Sequence, residues 1–171
     1  MSIFKSKKIK ETQKYYSSLR KIMAQLEAFM IGNNSNRRQL ERIHEKVRNL
    51  EEQFVNNENV IIPIGDIYLA YGIIFLLYQN WDASINALDK CIKLNDGYDT
   101  VNAHKYKGLI LLNEKNDPRG ALKEFKACKK NLENYTNTLD ILEKAEIIIQ
   151  GDGDIGMSEV ENLIIECSQR L

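Results

Sequence analysis

The sequence predicts an all-α protein, a stack of antiparallel helix pairs amounting to about eight helices. Three observations lead there. Apolar residues recur at spacings of three and four along most of the chain, the period of one helix face. Only two prolines and nine glycines interrupt 171 residues rich in Leu, Ile, Lys, Glu and Asn. The stretch 65–131 also reads as one unit written twice. Gly72 sits on an apolar helix with Phe75 three residues on, and Gly108 sits on another with Leu111 at the same offset. The two glycines are 36 residues apart, close to the roughly 34-residue period of one helix–turn–helix repeat class.

Taken in order, residues 1–6 are expected to fray. From about Lys7 to Ile31, Leu19, Ile22, Met23, Leu26, Phe29 and Met30 form one apolar stripe. The run Gly32-Asn33-Asn34-Ser35-Asn36 ends it. A second helix, about Arg37 to Asn56, places Leu40, Ile43, Val47, Leu50 and Phe54 at spacings of 3, 4, 3 and 4, a coiled-coil-like seam. Its short link to the first helix predicts an antiparallel hairpin over residues 1–57 that caps the stack. Asn56-Asn57-Glu58-Asn59 breaks the chain, and Val60–Ile64 with Pro63 leads into the repeat region, 58–171. The two repeats supply helices at about 65–79, 82–95, 99–114 and 118–131. A seventh is expected from about Thr136 to Gln150, with Leu139, Leu142, Ala145, Ile148 and Ile149 on one face. Gly151-Asp152-Gly153-Asp154 stops it, and Ser158-Glu159-Val160-Glu161 is a capping-box signature for the eighth.

The length suits a single domain with a sizeable core. The N-terminus MSIFKSKKIK is charged and no secretory apolar region follows it. The longest uncharged apolar run, Ile67–Tyr78, has 12 residues, the length of a core helix rather than a membrane span. Three cysteines, an odd number without paired spacing, read as buried free thiols. A cytoplasmic protein is expected. Formal net charge is zero, yet residues 1–57 hold twelve Lys and Arg against six Asp and Glu, whereas 58–171 hold twelve against eighteen. This asymmetry reads either as a basic docking arm or as two regions that attract each other.

Stretch 65–131 resembles two tetratricopeptide (TPR) repeats. Tyr68, Tyr71, Gly72 and Phe75 fill the motif's first-helix positions in copy one, and Ser84, Leu88 and Cys91 those of its second helix. In copy two, His104, Lys107, Gly108 and Leu111 match, followed by Ala121, Phe125 and Cys128. The closing Pro is replaced by Asp96-Gly97 and by Asn131, and copy two has one extra residue in its inner turn. The resemblance implies a concave groove lined by the first helix of each repeat. In copy one that groove would present Asp66, Leu69, Ile73, Leu76 and Leu77. In copy two it would present Asn102, Lys105, Leu109, Leu112 and Asn113. Family members that grip a carboxylate terminus carry Lys and Asn where Leu69 and Ile73 stand, so the resemblance points to an apolar or amphipathic segment docked helix-in-groove. The alternative is that the N-terminal hairpin, or a second copy of the chain, fills the groove.

Other chemistry finds little purchase. An EF-hand register around Asp152, Asp154 and Glu159 puts Ile148 and Gln150 where carboxylates belong. His44 and His104 have no Cys or second His at metal-ligand spacing, and no Gly loop suits a phosphate. The expectation is a non-catalytic protein-interaction adaptor without metal or cofactor. A competing expectation is binding of nucleic acid or an anionic membrane by the N-terminal cations Lys7, Lys8, Lys10, Lys14, Arg20 and Lys21, with Lys5, Tyr15 and Tyr16 nearby.

Overall fold

A computed structural model describes residues 2–32, 36–54, 65–94, 98–144 and 156–171, with side chains at 7–32, 36–54, 65–94, 99–135 and 156–171. All regular structure among them is helical: α1 (Ser2–Ile31), α2 (Arg37–Phe54), α3 (Gly65–Leu77), α4 (Trp81–Leu94), α5 (Tyr98–Asn113), α6 (Pro118–Lys144) and α7 (Met157–Gln169).

The pairs α3/α4 and α5/α6 make the most extensive contacts, and each repeats the same construction. A Cβ built on Gly72 would lie 2.5 Å from Leu88 Cδ2, and one on Gly108 2.5 Å from Phe125 Cε1. Each glycine is therefore what lets a bulky residue of the second helix reach the first helix's backbone. The inner turns match as well. Gln79 (φ 58°) and Asn116 (φ 50°) take the left-handed conformation after the first helix. The next residue, Asn80 or Asp117, then accepts at its side-chain oxygen the backbone N–H of the residue three on, Ala83 at 3.3 Å or Gly120 at 2.9 Å. Pro118 follows at the first helical position, where its missing N–H costs nothing. One difference is internal: the Ser84 hydroxyl donates 2.7 Å to the Gly72 carbonyl, and Ala121 stands at the corresponding place.

Helix α1 buries Tyr15, Leu19, Ile22, Leu26 and Phe29, and α2 buries Leu40, Ile43, Val47, Leu50 and Phe54. The two seams join α3 and α4 in one core that reaches Ala103 and Ile110 of α5. Full burial of such a side chain contributes about 1.5–3 kcal/mol, so the seams fasten the hairpin firmly to the first repeat. Beyond α5 the core passes to smaller clusters with α7, through Val160 on Val101, Cys128 and Leu132, and through Cys167 on Leu112, Ala121 and Phe125. Substantial contacts among described residues join only neighbouring helix pairs, with α7 packed on the α5/α6 pair.

Several expectations need correction. The described residues hold seven helices, not eight. The break expected at 131–136 does not occur, and α6 runs unbroken from Pro118 to Lys144. No Gly or Pro falls between residues 121 and 144, and Leu132, buried four residues after Cys128, continues the same seam. The rest of the expected seventh helix, 145–150, and the loop 151–155 lie outside the described residues. Helix α1 already begins at Ser2. Helix α7 begins at Met157 with extended Gly156 as its cap and no side-chain capping bond, so Ser158 lies inside the first turn. No described helix is long and apolar enough to cross a membrane.

Candidate functional site

The predicted groove is closed over most of its length. Leu69 and Ile73 are 1% and 2% exposed, inside the core shared with α1 and α2, and Asp66 is buried beside them in sequence. Leu76 and Leu77 are half-buried against the same core. In copy two, α7 does the covering. Leu112 is buried with Cys167, Leu109 packs on that cluster, and the Lys105 ammonium meets Glu159 of α7 at 2.7 Å. Asn102 is half-buried, and only Asn113 of the ten is exposed. Leu69, Ile73 and Leu112 are therefore core side chains, because apolar seams on α1, α2 and α7 take the space a partner was expected to occupy.

A different concavity opens between α2 and the end of α3. Tyr68, Tyr71, Phe75 and Tyr78 follow one another at spacings of three, four and three, so they form a row on one face of α3 that runs past its end. Tyr71 and Phe75 stack with centroids 5.9 Å apart, and the His44 ring of α2 stands edge-on to both, at 5.7 and 5.6 Å. The Tyr71 hydroxyl donates 2.6 Å to Glu51, which orients the row's central ring. Below it lies an open cleft of about 630 Å³, floored by Phe29, Leu40, Phe75 and Leu77 and rimmed by Arg37, Glu41, His44, Tyr78 and Asn80. Burial, reinforced by the Arg48 charge, holds the His44 pKa below its usual value, so the ring is neutral at pH 7. Burial, the hydrogen bond to Glu51 and its charge push the Tyr71 phenol well above its ordinary range. The spacing of this row is visible in the sequence, where Tyr68, Tyr71 and Phe75 coincide with repeat-packing positions and Tyr78 with none.

A polar network ties the two repeats together. His104 Nδ1 lies 2.6 Å from Glu124 Oε2, and Lys107 reaches both Glu124 Oε1 (2.9 Å) and Asp89 of α4 (2.7 Å). The side chains of His104 and Glu124 are only 13% and 10% exposed. Burial alone would raise the Glu124 pKa, but hydrogen bonds from His104 and Lys107 hold it below the ordinary carboxylate value. His104 is thus the partner of a buried carboxylate. Glu124 itself went unnoticed in the sequence, since nothing local links residues 20 apart on different helices.

Of the N-terminal cations, Lys7, Lys10, Lys14, Arg20 and Lys21 are exposed and Lys8 is half-buried. Lys7, Lys10, Lys14 and Lys21 share one side of α1, whereas Arg20 and Lys8 point elsewhere around it. No cluster of three or more His, Cys, Asp or Glu suited to a metal occurs among the described residues. Glu159, considered for calcium, is instead the partner of Lys105. Comparison with protein-family models, with curated proteins and with solved structures finds no match to this chain.

Proposed function

We propose that the chain is a non-catalytic adaptor of TPR-like build that holds an apolar or amphipathic segment of a protein partner in the cleft between α2 and α3. The observation that carries this reading is the half-exposed row Tyr71–Phe75–Tyr78 bordering an open cleft, with Leu77 the one predicted groove residue that lines it. An apolar floor with a few polar groups at the rim is the make-up of sites that bury a hydrophobic anchor. Rigid aromatic rings on a packed support are the side chains that dominate binding energy in such contacts. The paired repeats supply the support, because α3 is fixed by α4 through Gly72 and by α2 through Glu51.

The test is selection of a displayed random-peptide library on the intact chain, followed by affinity measurement of the selected peptides. Peptides with bulky apolar residues at helical spacing should emerge. Tyr78→Ala should weaken them at least roughly tenfold, as truncation of an aromatic anchor does, with unchanged circular dichroism. Leu109→Glu tests packing, since Leu109 packs beside α7. Selected peptides indifferent to Tyr78→Ala and to His44→Ala would overturn this placement of the site.

A further inference from the structure

We infer that one flank of the α1/α2 hairpin, remote from the aromatic cleft, is a docking surface for the phosphate backbone of a nucleic acid. The inference rests on how charge is sorted around the two helices, which net composition conceals. On α1, Lys7, Lys10, Lys14 and Lys21 follow at spacings of three, four and seven, all exposed. At about 1.5 Å per residue this line is roughly 21 Å long. Gln25 continues it, four residues after Lys21, and there accepts a 2.8 Å hydrogen bond from Lys46 of α2. That contact joins the α1 line to the side of α2 carrying Arg42 and Lys46, together with exposed Asn49 and Gln53.

The acids are elsewhere. On α2, Glu41 and Glu52 pair with Arg37 and Arg48, and Glu51 bonds Tyr71, which places these carboxylates on the flank that meets α3. Glu45 stands on the outer ridge between the two flanks, four residues from both Glu41 and Asn49. On α1, Glu27 lies away from the lysine line, and Glu11 is half-buried at its inner edge. Six cations thus share a face whose other exposed side chains are amides, hydroxyls and the small Ala28, with Glu45 at its outer border. A second basic line exists on α6, at Arg119, Lys123, Lys126 and Lys130. It has no neighbouring basic helix, and beside it Lys129 is already engaged by Glu161 of α7.

The chemistry of the hairpin face selects the partner. Lys and Arg interspersed with Gln, Asn and Ser are the groups that contact phosphate and sugar, and they carry no sequence information. A bilayer surface would favour apolar side chains among the cations for insertion. The large exposed apolar residues of α1, Ile9, Tyr16 and Ile31, lie off the lysine line, and Ala28 on it is too small to insert. The contact is therefore electrostatic and indifferent to sequence.

The experiment uses the full chain and a fluorescently labelled 20-base-pair DNA duplex, followed by anisotropy between 50 and 200 mM salt. With about four phosphates neutralised, log K should fall against log salt with a slope of about −3.6, roughly 100-fold over that range. The variant Lys7→Glu/Lys14→Glu/Lys21→Glu should lose nearly all binding, while Arg119→Glu/Lys123→Glu/Lys126→Glu, an equal change of charge, should lose little. Single Lys14→Gln should reduce the slope by about one. Absence of duplex binding at 50 mM salt, equal loss in both triple variants, or capture by phosphatidylserine vesicles without duplex binding would each overturn the inference. Lys14→Gln, a neutral change at one exposed side chain, places the contact on α1 even if a triple variant folds poorly.

Discussion

The two repeats share a skeleton and differ in what holds them to their neighbours. In both, a glycine of the first helix admits a bulky side chain of the second, and a left-handed residue followed by a capping Asn or Asp turns the chain. Around copy one the neighbours are apolar, with Leu69 and Ile73 sealed beneath α1 and α2. Around copy two the apolar clusters with α7 are smaller and ion pairs join them, with Lys107 bridging Asp89 and Glu124, and Lys105 held by Glu159. Contact within a hairpin is thus the constant of the design, and contact between hairpins the variable. Apolar joints tolerate changes of pH and salt that joints made of ion pairs do not.

The strongest way to probe the shared skeleton is to remove its central side chain in each copy. Phe125→Ala should cost about 4 kcal/mol and Leu88→Ala about 3 kcal/mol, both read from thermal unfolding, since the larger ring leaves the larger void. Equal or reversed losses would mean that the two cores are not equivalent in the way the glycine contacts indicate.

Next comes the charged joint. Glu124→Gln should destabilise by about 2 kcal/mol at pH 7, the scale of lost hydrogen bonds to charged groups. Because the folded state holds Glu124 below its usual pKa, this contribution is complete above roughly pH 4.3, the ordinary Glu value, and is lost as pH falls through the folded value. The stability gap between native and variant chains should therefore narrow in acid. A gap constant down to pH 3 would show that the carboxylate's charge contributes nothing.

The glycines themselves sharpen the comparison. Alanine gains about 1 kcal/mol in helix propensity over glycine, but here its methyl must displace a neighbour. Two atoms of Leu88, Cδ2 at 2.5 Å and Cγ at 2.7 Å, meet the added methyl at Gly72, whereas three atoms of the rigid Phe125 ring lie within 2.8 Å of it at Gly108. Gly108→Ala should cost about 2 kcal/mol and Gly72→Ala about half that. The smallest effect is that of a buried hydroxyl: Ser84→Ala should lose about 0.5 kcal/mol through its bond to the Gly72 carbonyl.

Much of this construction was legible from residue types alone. Gly72, Gly108, Asn80, Asp117 and Pro118 each signal a local backbone requirement, and local requirements are what a sequence displays directly. The extent of α6 was less so, because Asn131, Asn134 and Thr136 look like a break. Each costs a helix only a few tenths of a kcal/mol, and the buried seam through Leu132 outweighs that. The state of the groove was illegible for a different reason. Leu69 and Ile73 suit a partner's apolar segment and the chain's own α1 equally well, and nothing near them in sequence says which arrives. Lys105, expected on the groove wall, is likewise paired with a residue 54 positions away, Glu159. The row Tyr68–Tyr71–Phe75–Tyr78 had a readable spacing, but its half-exposure depends on where α2 stops covering it.

The three thiols reach further than their place in the core. Cys91, Cys128 and Cys167 are free, buried, and carried on α4, α6 and α7 in turn, one for each successive layer from the interior of the stack to its last helix. Burial pushes Cys91 up to about 12 and Cys128 up to about 11, and raises Cys167 as well, so none is a ready nucleophile while its layer is closed. Alkylation then clocks opening, residue by residue. In a linear array the end layer opens most often, so mass spectrometry during slow labelling should find Cys167 modified first, Cys128 next and Cys91 last. The chain carries its own sequence of timers for how it comes apart.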